Sequence, residues 1–337
     1  MCAQEVHGTV RQEGKHEELL VCAGDRAVSP RDFTLIITFS RLYCVSHFFD
    51  AFHMARIDGS ICHLLVIDNS SDVRLSRALK TRCEIYAGAF KSVRLVKTWR
   101  QGGLENIAKV NPEGVDGFKK SKIPYIFEMH KDIVRLCETE RFVLIEDDTI
   151  PPWKTRPYLV HDLLALLEKY PRAGIATAIE TGRSMITWLS VRLGVHYLYR
   201  PGRKILWRLS PGPNLRGLHV VDACGWYCCA SYKSLWSLSL TDMDSYVEEV
   251  PRFALDVVHT NNISRRGRFI IADFSAWCEH LQSTSDGVYR YGRKQAVPMV
   301  DVWLPEWNDY AQALALKQPG HPERIAALVK SRDRELY

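Results

Sequence analysis

The sequence has no apolar run long enough to cross a bilayer. The nearest approach, SMITWLSVRLGVHYLY at residues 184 to 199, is broken by Arg192 and falls short of the roughly 20 apolar residues that a membrane helix needs. No charged start followed by an apolar centre opens the chain as a secretory leader would. Its ten Cys form no CxxC pair, so they read as buried thiols of a reducing compartment. Together these absences predict a soluble, cytoplasmic protein with no transmembrane segment. No period of about 20 to 50 residues recurs, which excludes solenoids and propellers.

What is present describes a folded enzyme-sized chain. Of 337 residues, 46% are hydrophobic and 10% aromatic, enough for a real core and too many for disorder beyond the ends. The net charge of +6 suits an anionic ligand such as a nucleotide or a phosphate polymer. Residues 1 to 30 are polar and aperiodic and read as an N-terminal extension ending at Ser29-Pro30. FTLIITF (33 to 39), HLLVIDNSSD (63 to 72), SVRLVKTW (92 to 99), RFVLIEDD (141 to 148) and GIATAI (174 to 179) read as strands. Helical patterns lie between them: Cys44 to Met54, VRLSRALKTR, Tyr125 to Glu138 and LVHDLLALLEKYP. Apolar strands alternating with helices predict an α/β fold built on a mostly parallel sheet sandwiched by helices. A long Gly-containing loop spans Arg100 to Ser121, and a basic, aromatic insertion spans about 184 to 217. The tail, 286 to 337, reads as helical.

One stretch poses a chemical problem. RFVLIEDDTIPP runs a buried strand straight into Glu146, Asp147 and Asp148, with no Lys or Arg close by to offset their repulsion. Ligands of parallel α/β sheets sit at the carboxyl ends of strands, and both this cluster and Asp68 lie there. Something positive should therefore sit beside the cluster. An acidic turn at a helix start is the plainer reading.

The order of TLIITFSR, VIDNSSD, RFVLIEDDTIPP, DACGWYCCA and LDVVHTNNISRRGRFIIADFSAWCEH resembles the GT-A glycosyltransferases, most closely the family-2-like group, over about residues 33 to 282. The resemblance implies a GT-A domain over 31 to 285 and transfer of a sugar from a nucleotide-diphosphate donor to a hydroxyl acceptor, inverting, with Mn²⁺ or Mg²⁺ as cofactor. Laid on the family's D-x-D pattern, Glu146 and Asp148 take the acidic positions with Asp147 between them. Asp148 is then the metal ligand, with the late His280 beside it. Glu146 and Asp147 face the donor, as do Thr38, Arg41 and Asp68 from the first two strand ends. Asp256 takes the place of the catalytic base, although Leu255 replaces its usual acidic neighbour; Glu248 and Glu249 are the reserves. Asp222, Gly225 and Trp226 fall on the acceptor side, where an aromatic face suits a sugar. Each has a plain alternative: turn chemistry for Asp68, helix-start charge for Asp256, a core strand for Trp226.

Three functions compete. The acceptor is unknown; the Arg, Lys, Tyr and Trp residues of 197 to 216 suit DNA or another anionic polymer, so transfer onto a hydroxylated DNA base is a sharper alternative, while a lid over the donor is a simpler one. A nucleotidyltransferase is disfavoured because TFSRLYCVSH lacks the Gly of a triphosphate loop. A non-catalytic binding protein with a degenerate transferase fold is the reading outside catalysis.

Overall fold

The computed structural model describes residues 10–13, 16–22, 28–98, 115–180, 197–200, 203–206, 217–221, 224–244, 255–284 and 287–291. The strands are β1 (Val10–Glu13), β2 (His16–Cys22), β3 (Phe33–Phe39), β4 (Cys62–Asp68), β5 (Ser92–Lys97), β6 (Arg141–Glu146), β7 (Thr149–Ile150), β8 (Ala173–Glu180), β9 (Tyr197–Arg200), β10 (Arg203–Leu206), β11 (Leu218–Val221), β12 (Cys228–Tyr232), β13 (Phe269–Thr284) and β14 (Gly287–Tyr291). The helices are α1 (Leu42–Phe52), α2 (Val73–Tyr86), α3 (Val115–Leu136), α4 (Leu159–Lys169), α5 (Lys233–Met243) and α6 (Leu255–Arg265).

The main sheet has the order β1-β2-β5-β4-β3-β6-β12-β8-β13-β11. Its centre, β5-β4-β3-β6, is parallel. β12 then runs antiparallel between β6 and β8, and β8 and β13 are parallel again. Residues of β3, β4 and β8 are buried throughout, which explains their unbroken apolar runs: a strand with helices on both faces has no wet side. The alternation of the pleat divides them between two cores. Leu35, Ile37, Leu64 and Val66 pack with α1, α2 and α4, and Ile36, Leu65 and Ile67 pack on the other face with α3, α5 and α6.

On the α1 side an aromatic cluster holds helix to sheet. Phe48 meets Phe39, Phe49, Phe52 and Trp153 at ring-centroid distances of 5.4 to 5.9 Å. Positions 45, 48, 49 and 52 recur at the three-and-four spacing of one helix face.

Two features fix where a ligand can sit. From β3 the chain steps outward through β4 to β5, then returns by α3 to place β6 on the opposite side of β3. The order therefore reverses between β3 and β6, and α/β sheets bind their ligands at the carboxyl ends of strands where it does. The second feature is β13. Its pairing with β8 jumps from Ala272↔Thr177 to Trp277↔Ile179, a bulge that redirects the strand. Its far half pairs with β7 and β14, setting His280 opposite Thr149 and Tyr291.

The sequence boundaries shift in three places. Residues read as an aperiodic extension include a hairpin, β1 and β2, that joins the sheet at β5. α3 begins at Val115, inside the expected loop, and the start of the expected helical tail holds β14. Residues 99–114 and 292–337 lie outside the described residues. So does most of the basic insertion, in which β9 and β10 form a separate two-stranded hairpin. Among the described residues no helix is long and apolar enough to cross a membrane, and eight Cys are free and buried.

Phe48 is fully buried, so Phe48→Ala is expected to lower the unfolding free energy by about 3–5 kcal/mol. Urea denaturation checks it; a loss under about 1 kcal/mol would mean the cluster collapses onto the gap.

Candidate active site

The carboxyl end of β3 continues as Ser40 and Arg41 into α1, and that of β6 continues as Asp147 and Asp148 into β7. The switch point therefore presents two backbone amides and a guanidinium on one side, and two carboxylates on the other. Asp147 Oδ2 accepts from the Ser40 amide at 2.9 Å and the Arg41 amide at 3.0 Å. It thus serves as an anion at the start of α1, whose own N-cap makes no side-chain bond. The Arg41 guanidinium also reaches Asp147 Oδ1 and lies 2.6 Å from Asp148 Oδ2. Asp148 is 0% exposed and Asp147 is 2% exposed. Charges buried so deeply must be paired, and Arg41 pairs both.

Here the structure corrects a sequence inference. The acidic cluster does have a basic neighbour, more than a hundred positions away along the chain, brought in by the parallel pairing of β3 with β6.

The same Asp148 oxygen meets His280 Nε2 at 3.2 Å. His280 is carried there by the bent half of β13, which is fastened locally by the Leu281 amide donating to the Asp148 carbonyl at 2.7 Å. Its other ring nitrogen, Nδ1, is in contact with the Glu180 carboxylate at the end of β8. Arg41, Asp147, Asp148 and His280 lie together in one contiguous cluster. Glu180 was missed. The signal was present, since AGIATAIE is a third apolar strand that ends on a carboxylate.

Other expected residues sit close by in different settings. The amide of Glu146 donates to the Tyr227 carbonyl at 2.9 Å, so the Cys224–Tyr227 turn lies along the carboxyl edge beside the acidic cluster. Asp256 occupies the first turn of α6. The Cys224 amide donates to the Thr260 hydroxyl at 3.0 Å, and that hydroxyl lies 3.0 Å from the Asp256 carbonyl. Burial first, and the Asp256 charge second, push the Cys224 thiol up. Asp256 and Glu146 therefore flank the same turn.

Asp68 lies at the end of β4, 1% exposed, and its oxygens are engaged by the Ser70 amide at 3.1 Å, the Ser76 hydroxyl and Lys97 Nζ at 3.3 Å. Burial raises its carboxyl above the usual range, against those three groups, which favour the anion. Asp72 caps α2 by accepting from the Arg74 amide, so the Asp-Asn-Ser-Ser-Asp run does serve as turn chemistry. Thr38 is buried within β3.

On the acceptor side, Trp226 is a correction. Its indole packs against His130 at a centroid distance of 3.5 Å and against Trp236 and His259, with 3% exposure, so no open face is left for a sugar. The cause is local: the indole N–H donates to His259 Nδ1 at 3.2 Å. With that nitrogen accepting, Nε2 carries the proton and faces the Trp236 carbonyl at 3.2 Å. Gly225 is required by packing, since a Cβ there would lie 1.8 Å from the Tyr227 ring. Asp222, Glu248 and Glu249 lie outside the described residues.

No protein-family model matches the chain, nor does any curated protein. Solved structures similar to it include the mannosyltransferase PcManGT from Pyrobaculum calidifontis in complex with GDP-Man and Mn²⁺. That match has a TM-score of 0.40 and 14% identity, covering 72% of this chain and 56% of that one. A second is S. aureus TarS 1–349, with a TM-score of 0.40 and 13% identity over 77% of this chain and 60% of that one. The complex of the same TarS fragment with UDP gives 0.36 and 12%. The chain thus spans 56 to 60% of the length of these structures. Likenesses this distant carry no weight for function, which has to be read from the site.

Two outcomes follow. Replacing Arg41 by Met leaves two buried carboxylates without their guanidinium and is expected to cost about 3 kcal/mol in urea unfolding; a change below about 0.5 kcal/mol would show the pair to be screened by water. Burial also holds His259 down at about 3 and His130 well below its usual range. The unfolded chain therefore binds protons that the native state does not as pH falls below about 6.5. Stability is complete above that value and should decline by about 1.4 kcal/mol per pH unit for each such histidine as pH drops toward 5. Unfolding free energies that stay level from pH 7.5 to 5 would contradict it.

Proposed function

We propose that the chain is a GT-A type glycosyltransferase that moves a sugar from a nucleotide-diphosphate donor to a hydroxyl acceptor with a divalent metal. The observation that supports this most is the buried grouping of Arg41, Asp148 and His280 at the strand-order reversal, where phosphorylated ligands of α/β sheets bind.

The residues fit a metal ion of the kind proposed. No three His, Cys, Asp or Glu side chains gather as a ready-made cage among the described residues. Mg²⁺ and its relatives are commonly held by one or two carboxylates with substrate phosphates completing the shell, so a two-ligand site suits them. Asp148 Oδ2 and His280 Nε2 are 3.2 Å apart, close to the separation of about 3 Å between adjacent ligands on an octahedral ion. The mixed oxygen and imidazole pair favours Mn²⁺ over Mg²⁺. When bound, the ion supplies charge stabilisation for the departing diphosphate.

The chain's own residues do the rest. Arg41, held by Asp147 through its backbone and side chain, offers a guanidinium to the diphosphate, for which its planar fork is suited. Asp68, fixed by Ser70, Ser76 and Lys97, borders the nucleoside side of the crevice at the end of β4, and Glu146 flanks the opposite side. Asp256, across the Cys224–Tyr227 turn, takes the proton of the acceptor hydroxyl on its carboxylate as the sugar is attacked from the face opposite the diphosphate, giving inversion.

A melting-temperature screen with UDP-, GDP-, CDP- and dTDP-sugars, each with Mn²⁺ and with chelator, tests the reading. One nucleotide class is expected to stabilise the protein only with metal. Asp148→Asn should abolish that shift and turnover together. Asp256→Asn should keep the shift but lower turnover by about 10²–10⁴-fold. No metal-dependent shift with any donor would overturn the proposal.

A further inference from the structure

We infer that Glu180 is a positioning residue for His280, holding the imidazole so that Nε2 is directed at Asp148. This rests on the reading of Asp148 and His280 as the metal pair. Glu180 ends β8, is 2% exposed and stands in parallel register with Cys278 of β13, two residues before His280. Its carboxylate contacts His280 Nδ1 while Nε2 lies 3.2 Å from Asp148 Oδ2.

An imidazole has two distinct nitrogens, and the partner of one sets what the other can do. In this assignment Nδ1–H is directed at the Glu180 carboxylate, and Nε2 keeps its lone pair for an ion shared with Asp148. The ring's rotation is the main freedom left to fix, because the backbone of His280 is already paired on both sides, with Thr149 and with Tyr291. A carboxylate behind a ligating histidine also raises the basicity of the ligating nitrogen, and its loss typically costs about 10–100-fold in metal affinity. Burial makes this orientation durable, since neither Glu180 nor His280 has free access to water as a substitute partner.

The test is Mn²⁺ titration of the full chain, following free Mn²⁺ by its electron paramagnetic resonance signal, for wild type, Glu180→Gln, Glu180→Ala and His280→Ala. Melting temperatures of the metal-free proteins accompany it. Glu180→Ala is expected to bind Mn²⁺ about 10–100-fold more weakly. Glu180→Gln keeps an acceptor for Nδ1–H without the charge and should fall between wild type and Ala; it carries the test if Glu180→Ala does not fold. A merely structural role would lower the melting temperature and leave Mn²⁺ affinity at the wild-type value. Wild-type affinity in the Glu180 variants, with His280→Ala weakened, overturns the role of Glu180 and leaves the metal pair standing. Affinity that is unchanged or absent in all four proteins, His280→Ala included, overturns the metal pair and this inference with it.

Discussion

Two adjacent carboxylates buried at the end of a central strand constrain this structure more than any other feature. Asp147 and Asp148 cannot be withdrawn from water without partners, and every partner found for them comes from elsewhere in the chain. Ser40 and Arg41 arrive with the neighbouring parallel strand, and His280 arrives on a strand bent out of the main sheet. The repulsion within the acidic cluster is thus converted into cross-links between β3, β6 and β13. The same requirement makes the site chemically pointed, since a guanidinium and an imidazole converge on one carboxylate oxygen of Asp148.

The division of labour within the acidic cluster follows from geometry. Asp147 is turned toward the start of α1, where its oxygens meet two backbone amides and the guanidinium. Asp148, one residue on, meets the opposite end of that guanidinium and the imidazole. Successive residues leaving a strand point in different directions, so one carboxylate anchors the helix while the next meets the imidazole of β13. Proline follows after the two-residue β7, ending the pairing because it has no N–H to donate.

Much of the sheet was legible because burial on both faces leaves a plain mark: FTLIITF, HLLVID, RFVLIE and GIATAI all correspond to strands. The site was legible in its parts, from carboxylates at strand ends and a late histidine. Its connections were not. That Arg41 answers the acidic cluster depends on β3 lying beside β6, a pairing between segments a hundred residues apart that no local pattern encodes. The bend of β13 is equally silent in SAWCEH, because a bulge is set by register with β8. Glu180 ends a strand in the same way as Asp68 and Glu146, but nothing local in AGIATAIE marks that it stands beside His280. Trp226 beside glycine suited either a sugar platform or a core strand, and burial with its indole N–H committed to a histidine gives the core reading.

Every role proposed for the site depends on Asp148 and His280 sharing one divalent ion at the strand-order reversal. Anomalous diffraction from crystals grown with Mn²⁺ and a nucleoside diphosphate tests this most directly. The predicted result is a manganese peak within coordination distance of both Asp148 and His280 Nε2, with the diphosphate on its open side beside Arg41. A peak elsewhere, or a bound diphosphate with Arg41 still the sole cation at Asp148, would contradict it.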